Sequence, residues 1–478
     1  MLRRIVRHES RLLASDRLAV VVALLFGVML VAAAANGASW ALTQSTGRAT
    51  LAAEQDQRYT KARAEVAAAA VTAAAAAAEP AWGPANPSYL GSFVGRYVAQ
   101  APAPLAALAV GQSDLYTGYS KVNARTREAF VAGDQTENPL LLKVGQFDLA
   151  FALLYLYPLF VLALCYDLTS GERDDGTLRL VVSQPVALGT VVVGKLLARA
   201  AVVLAPAAIA PLLALWFVGQ PLDADALTRL ATWTVAVAAY GLLWFALAVA
   251  VNAAGRSPEW NALTLSGLWL ILVVMSPAAI NAVVSAWYPV PSRVEFVNAA
   301  RAATDEARVE GSRVLGRFIE EHPEFSVAGD AMKNASVLQA ARDDEIARMV
   351  APVVTRFESQ LARQHAAVAV LRFLSPAALL QSVLVDAAGT GFERYRHFFA
   401  QVDVYHRTWR EYFQPLLFAN TSLTPAVYDR LPAFIYSEER VGAVVARTAL
   451  PVLGLTAAGL LLLVVGLRRF RAYPVAAG

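Results

Sequence analysis

The chain has 478 residues, of which 57% are hydrophobic and 16% charged, where a soluble globular protein carries about 25% charged residues. The apolar surplus is gathered into blocks of about twenty residues without an ionised side chain, the length a bilayer crossing demands, which excludes a single soluble domain and a disordered polymer. The net charge of +4 comes from basic residues set mostly beside those blocks, which reads as membrane orientation and not as a nucleic-acid surface; the single cysteine, Cys165, excludes an intramolecular disulfide and a cysteine-based metal cage.

In residues 1–17, Leu2, Ile5, Val6, Leu12 and Leu13 form an apolar stripe opposite a basic face, which predicts an amphipathic helix lying in the membrane interface. Six predicted spans follow, over 18–42, 149–166, 191–218, 230–252, 262–287 and 448–467. The buried part of the third begins after Arg199, because Lys195 and Arg199 on its leading edge are expected to snorkel to the headgroups. Residues 18–42 are too many for a secretory h-region of about 7–15 residues, so they are read as a retained span. The alanine-rich run from Glu65 to Ala78 predicts a helix outside the membrane, because alanine has high helix propensity and little transfer energy. Pro158, Pro206, Pro211, Pro277 and Pro451 predict tolerated kinks, and Trp40, Trp216, Trp233, Trp260, Trp287 and Tyr288 an aromatic belt near the span ends. No ionisable residue falls at mid-span, unlike proton-coupled carriers and voltage sensors.

Basic residues set the orientation. Arg3, Arg4, Arg7, Arg11 and Arg17 precede span 1; Arg173, Arg179, Lys195 and Arg199 lie between spans 2 and 3; Arg256 lies between spans 4 and 5; Arg468, Arg469 and Arg471 follow span 6. All are expected on the cytoplasmic side, which puts both termini, the loop 167–190, the loop 253–260 and the tail 468–478 there, and the excursions 43–147 and 288–447 outside. The link between spans 3 and 4 carries Asp223 and Asp225, with Arg229 as its only basic residue.

The loop after span 2 is the most informative stretch. Glu172, Asp174 and Asp175 are expected to open a short helix at its positive end, Leu178, Leu180, Val181 and Val182 to supply an apolar patch, and Pro185 to stop the segment. Glu172 through Gly176-Thr177-Leu178, with Pro185 and Gly194-Lys195 at these offsets, resembles the E-x-x-x-G-T-L…P…G-K pattern of permease subunits of ABC-2 type transporters. That resemblance implies an all-α polytopic membrane protein with six transmembrane helices of ABC-2 type. It also implies a coupling loop in which Glu172, Asp174, Asp175, Gly176, Thr177, Leu178 and Pro185 meet a separate ABC ATPase subunit, with Arg256 in a second, smaller contact. ATP and Mg would sit on that partner and no cofactor on this chain, which would be no enzyme itself. A second six-span chain, identical or related, would complete an exporter in the bilayer of a bacterial inner membrane, with the large domain periplasmic or extracellular. Leu374-Ser375-Pro376-Ala377, Ala388-Gly389-Thr390-Gly391 and Trp409 to Pro415 are similar to the subgroup with a large domain between spans 5 and 6. Two other classes stay open: a mechanotransmission complex acting on an envelope partner, and a membrane-anchored scaffold or sensor needing no ATPase.

Gly189 to Lys195 imitates the start of a phosphate-binding loop, but Leu196 replaces the magnesium-binding Ser or Thr, so no nucleotide is expected there. In the second excursion, Val337 to Leu361 keeps a helical period that Pro352 is expected to kink or divide, and Asn298 to Glu321 predicts another helix, stopped by His322-Pro323. Few stretches alternate as strands do. The two excursions are expected to pack as one mainly helical extracytoplasmic domain. Glu393 with His397, and Asp403 with His406, share helix faces and read as salt-bridged surface and not as a metal site. No G-x-S-x-G elbow accompanies them. The aromatic run from Phe392 to Phe413 reads as core.

Overall fold

The computed structural model describes residues 2–71, 81–113, 118–125, 147–290, 293–321, 335–419 and 422–473. Residues 72–80, at the end of the alanine run, and the expected stop at His322-Pro323 lie outside the described residues. The protein is mainly helical, and among the described residues six helices are long and apolar enough to cross a membrane: Arg17–Ala69, Leu149–Asp174, Leu188–Val218, Ala224–Asn252, Pro258–Trp287 and Val441–Ala472. This is an all-α, multi-pass membrane protein.

The helix of span 1 does not stop at Leu42, where its apolar run ends. The helix Arg17–Val71 runs on without a break, about 80 Å at 1.5 Å per residue, against a hydrocarbon layer of about 30 Å. No proline interrupts the stretch after Leu42, and Ala, Gln, Glu, Lys and Arg there keep the helix favourable in water. This extension forms a stalk. Gln55 is bonded both ways to the backbone of Tyr97, Tyr59 donates to Gly95 O, and Arg63 grips Asp429 through two bonds of 2.8 and 3.0 Å.

Tyr97 belongs to a feature the sequence did not reveal. Strand β1 (Arg96–Ala99) pairs antiparallel with β2 (Tyr119–Val122), Arg96 opposite Val122 and Ala99 opposite Tyr119. The ribbon packs under the helix Phe392–Ala419, where Phe398, Trp409 and Phe413 are buried together with Leu90, Val98 and Val122. The two excursions therefore share one core. Trp409 Nε1 donates to Gly91 O at 3.1 Å, and Arg125 makes a two-point ion pair with Asp343. Pro352 lies inside the continuous helix Ala335–Leu371 and does not divide it, whereas the expected helix from Asn298 to Glu321 is two helices, Arg293–Val309 and Gly311–Glu321.

Within the bundle, spans 4 and 6 lie against each other through Gly459 and Gly466, seven residues apart and so on one helix face. A Cβ at either would come within 3.1 Å of the facing backbone, at Leu243 N and Ala250 N, and their smallness permits the close approach. Trp233 is fully buried in the core and no part of an interfacial belt, while Trp216, Trp260 and Trp287 are exposed. Spans 2 and 5 contain π-helical turns, Ala152–Leu156 and Leu270–Met275, each directly before the turn that holds Pro158 or Pro277. A proline withholds an N–H and crowds the carbonyl four residues back, and the wider turn relieves both.

At the end of the bundle beneath the large domain, the short apolar helix Pro376–Ala388 is wedged between spans 4 and 6. Ser375 caps it and also donates to Leu272 O on span 5, and Gly389, with φ of 76°, closes it. Arg229 is buried in the span 4 helix, not exposed in the preceding link. Its Nη1 points at the last carbonyls of the wedge, 3.4 Å from Ala387 O, where a cation complements the helix dipole.

Candidate functional site

The candidate site is at the opposite, terminus-bearing end, where span 2 runs out. A helix C-terminus leaves carbonyls without intrahelical donors, and here side chains from three other spans supply them. Arg199 Nη1 donates to Leu164 O at 2.5 Å and Lys195 Nζ to Leu168 O at 3.1 Å, both from span 3. Asn252 of span 4 donates to Cys165 O at 2.9 Å, and Asn261 of span 5 to Tyr166 O at 3.1 Å. Asn261 also reaches Ser170 Oγ and Asn252 Oδ1, each at 3.2 Å. Both asparagines are fully buried, so this polar girdle has no water to fall back on and holds the root of the loop to the bundle.

The loop itself is two short helices, Ser170–Asp174 and Leu178–Val182, separated at Gly176, whose φ of 74° suits glycine. Glu172 lies in the first turn of the first helix, but Asp174 and Asp175 end that helix and do not open the second, contrary to the expected arrangement. Glu172 Oε1 meets Lys195 Nζ at 2.7 Å, and the lysine side chain is only 5% exposed. On its other side, at 4.0 Å, lies Glu9, the one buried residue of the N-terminal helix Leu2–Ser15. Lys195 and Arg199 thus do not snorkel: a buried ammonium needs carboxylates and carbonyls around it, and finds them here.

Further contacts tie the loop to its surroundings. Arg173 Nη1 donates to Gly255 O in the turn between spans 4 and 5, joining the two loops. Thr169 Oγ1 donates to Tyr473 Oη at 3.3 Å, adding the tail. Thr177 Oγ1 donates back to Glu172 O at 3.2 Å. The stretch Gly189–Lys195 that imitates a phosphate loop is helical from Leu188 onward, and Gly194 is where the N-terminal helix seats: a Cβ there would lie 2.5 Å from Ile5 Cγ2.

The expected site residues therefore divide. Asp174, Asp175, Gly176, Thr177 and Pro185 are exposed on the loop, with Arg256 on the adjacent turn, its guanidinium 6.0 Å from the Trp260 ring. Glu172 is half-buried and engaged at the root, and Leu178 is fully buried, so neither stands on the outer face. Leu180, 71% exposed, and Val182, 40% exposed, supply the apolar part of that face. The sequence reading missed Glu9, Asn252, Asn261 and Tyr473 as participants. The one usable signal was the spacing of Lys195 and Arg199, four apart and so on one face of an otherwise apolar helix.

The class these features define is a multi-span helical membrane protein with a large domain between spans 5 and 6. In that stretch, residues 293–437 match the family described as a domain of unknown function, DUF3526. No curated protein and no solved structure matches the chain.

Of the polar pairs read from spacing in the large domain, His397 Nε2 lies 2.9 Å from Ser437 O and His406 Nε2 2.7 Å from Arg125 O, while Glu393 pairs with Arg396.

Proposed function

We propose that this chain is the membrane-spanning permease subunit of an ATP-driven exporter of ABC-2 type, driven by a separate ABC ATPase that docks on the face carrying Asp174, Asp175, Leu180, Val182 and Arg256. The observation that carries the reading is the way that face is mounted. Its tip offers exposed apolar and acidic side chains, while its root is bonded to spans 2, 3, 4 and 5, the N-terminal helix and the tail. A push on the tip moves the ends of four spans together. Such a mount suits a force input and is more than a solvated loop requires.

In this reading the chain catalyses nothing itself, ATP and Mg are held by the partner, and a second six-span chain faces it across the bilayer. The loop lies on the cytoplasmic side and the large domain outside. A second reading, mechanotransmission to an envelope partner, is favoured by the wedge Pro376–Ala388, which touches spans 4, 5 and 6 and continues into the large domain. Purifying the tagged chain from its native membrane tests the docking face: an ATP-binding subunit is expected to come with the native chain and to be lost with Leu180→Asp, while insertion is unchanged. Retention of that subunit by Leu180→Asp, or its absence from the native preparation, contradicts the reading. Transport into vesicles carrying both subunits separates an exporter from a mechanotransmitter.

A further inference from the structure

A cleft lies on the far side of the bundle from the proposed docking face, where the span 1 helix leaves its apolar run. It encloses about 500 Å³ including its open mouth, and is lined by Trp40 and Arg48 from that helix, Gln112, and Thr390 and Arg394 at the head of the large-domain helix.

Among the described residues, its charge is unbalanced. Arg394 is neutralised by Glu438, with Nε to Oε1 at 2.8 Å and Nη2 to Oε2 at 2.5 Å. Among the described residues, Arg48 has only neutral acceptors: Gln44 Oε1 at 3.3 Å, Ala101 O at 3.2 Å and Gln100 O at 3.4 Å. No lining residue among those described is a carboxylate. Three lining residues also carry buried polar atoms without a partner among the described residues: Arg48 Nε, Thr390 Oγ1 and Gln112 Oε1. A guanidinium N–H and a hydroxyl are donors in want of an acceptor, and the Gln112 amide turned end for end offers a third. Buried donors left unmet are costly, and one uncompensated positive charge asks for one negative charge.

The position narrows the chemistry. Arg48 is six residues past Leu42, about 9 Å further along the helix axis, which puts its backbone at the outer edge of the headgroup layer of about 5–8 Å, within reach of the long arginine side chain. Trp40 on the same helix suits that interface.

We propose that this cleft binds a phosphate-bearing monoanion, with Arg48 as its charge partner and Thr390 and Gln112 as neutral donors. The same chemistry is offered by a phospholipid headgroup and by free phosphate, and the proposal is independent of the coupling loop. The test uses the full chain in detergent, with two probes. Native mass spectrometry compares retention of phosphatidylglycerol with that of diacylglycerol, which lacks the phosphate, and equilibrium dialysis measures inorganic phosphate in the absence of lipid. Arg48→Gln removes the charge partner. Gln112→Glu instead supplies an internal carboxylate to Arg48, and is expected to keep the thermal midpoint while losing the ligand, so that lost binding is not mistaken for lost fold. Retention of phosphatidylglycerol at least tenfold above either variant assigns the cleft to a lipid headgroup. Inorganic phosphate bound by the native chain, tenfold more weakly by both variants and not displaced by phosphatidylglycerol, assigns it to free phosphate. If neither probe distinguishes the native chain from both variants, the proposal is overturned.

Discussion

The ion pair at the root of the loop gives the sharpest prediction. Replacing Glu172 with Gln removes the carboxylate 2.7 Å from Lys195 Nζ and keeps the side-chain volume. A hydrogen bond between ionised partners contributes about 1.5–3 kcal/mol. Glu172 is partly exposed and Glu9 stands in reserve at 4.0 Å, so a loss of about 2 kcal/mol, within that range, is expected from the hinge that holds the loop closed. Such a loss raises the open population by about 30-fold. Arg173 and Arg179 provide trypsin sites within the loop. When cleavage is slow relative to reclosing, its rate follows the open population. Tryptic cleavage at Arg179 in the detergent-solubilised protein, followed by mass spectrometry of the fragments, is therefore expected to accelerate by about 30-fold in Glu172→Gln. Asp175→Asn, on the exposed tip, serves as the control and is expected to stay within about twofold of the native rate. A native-like rate in Glu172→Gln, or equal acceleration in the control, refutes the assignment of Glu172 to the root.

Other consequences are checked separately. Gly194→Val places methyl groups where Ile5 packs and is expected to cost about 1–3 kcal/mol by overpacking; faster hydrogen exchange over residues 2–15, restored by adding Ile5→Ala, is the readout. Trp409→Ala empties the centre of the outer core and loses the bond to Gly91 O, so the large domain is expected to lose about 3–5 kcal/mol, seen as a lower unfolding midpoint with insertion of the spans unchanged. Burial pushes the Glu438 carboxyl up, but the hydrogen bond and charge of Arg394 outweigh it and hold the group below its ordinary value; Arg447 does the same for Glu439. Because the folded-state values are depressed, their stabilisation is complete above the unfolded value of about 4.3 and is lost as pH falls through the folded values. Thermal midpoints of the native chain should fall steeply on acidification below about pH 4.5, and less steeply in Glu438→Gln; identical acid profiles contradict the pairing.

The six spans were legible because an apolar block of bilayer length has few alternatives in a folded protein. The polar girdle was not, since periodicity reports which face of a helix is apolar but not which helices meet. Asn252, Asn261 and Lys195 come from separate spans, and only the fold brings them to the carbonyls at the end of span 2. Glu9 was hidden within a basic helix whose apolar stripe was the visible signal. The stalk is not visible for a different reason: the apolar run marks the limits of a span and not the end of a helix, since helix propensity carries no membrane term and the residues after Leu42 sustain the helix. Strands of four residues, with three of four positions half-buried in β2, leave too little alternation to detect. Of the loop, the exposed acidic tip followed from composition. The inward turn of Leu178 and the engagement of Glu172 depend on the break at Gly176 and on a lysine more than twenty residues later in the chain.

The central claim is that force from an ATP-hydrolysing partner enters through the paired inner loops, and proximity labelling at Leu180 tests it most directly. Cys165, the chain's only cysteine, is buried and can be replaced by Ala, so Leu180→Cys carrying a photoreactive maleimide places one probe on the exposed face. In native membranes this probe is expected to crosslink a polypeptide that also binds a photoreactive ATP analogue, with a yield that changes when ATP is supplied. Reaction of the introduced thiol with a membrane-impermeant reagent added outside intact cells, or crosslinking confined to proteins that bind no nucleotide, would contradict the account.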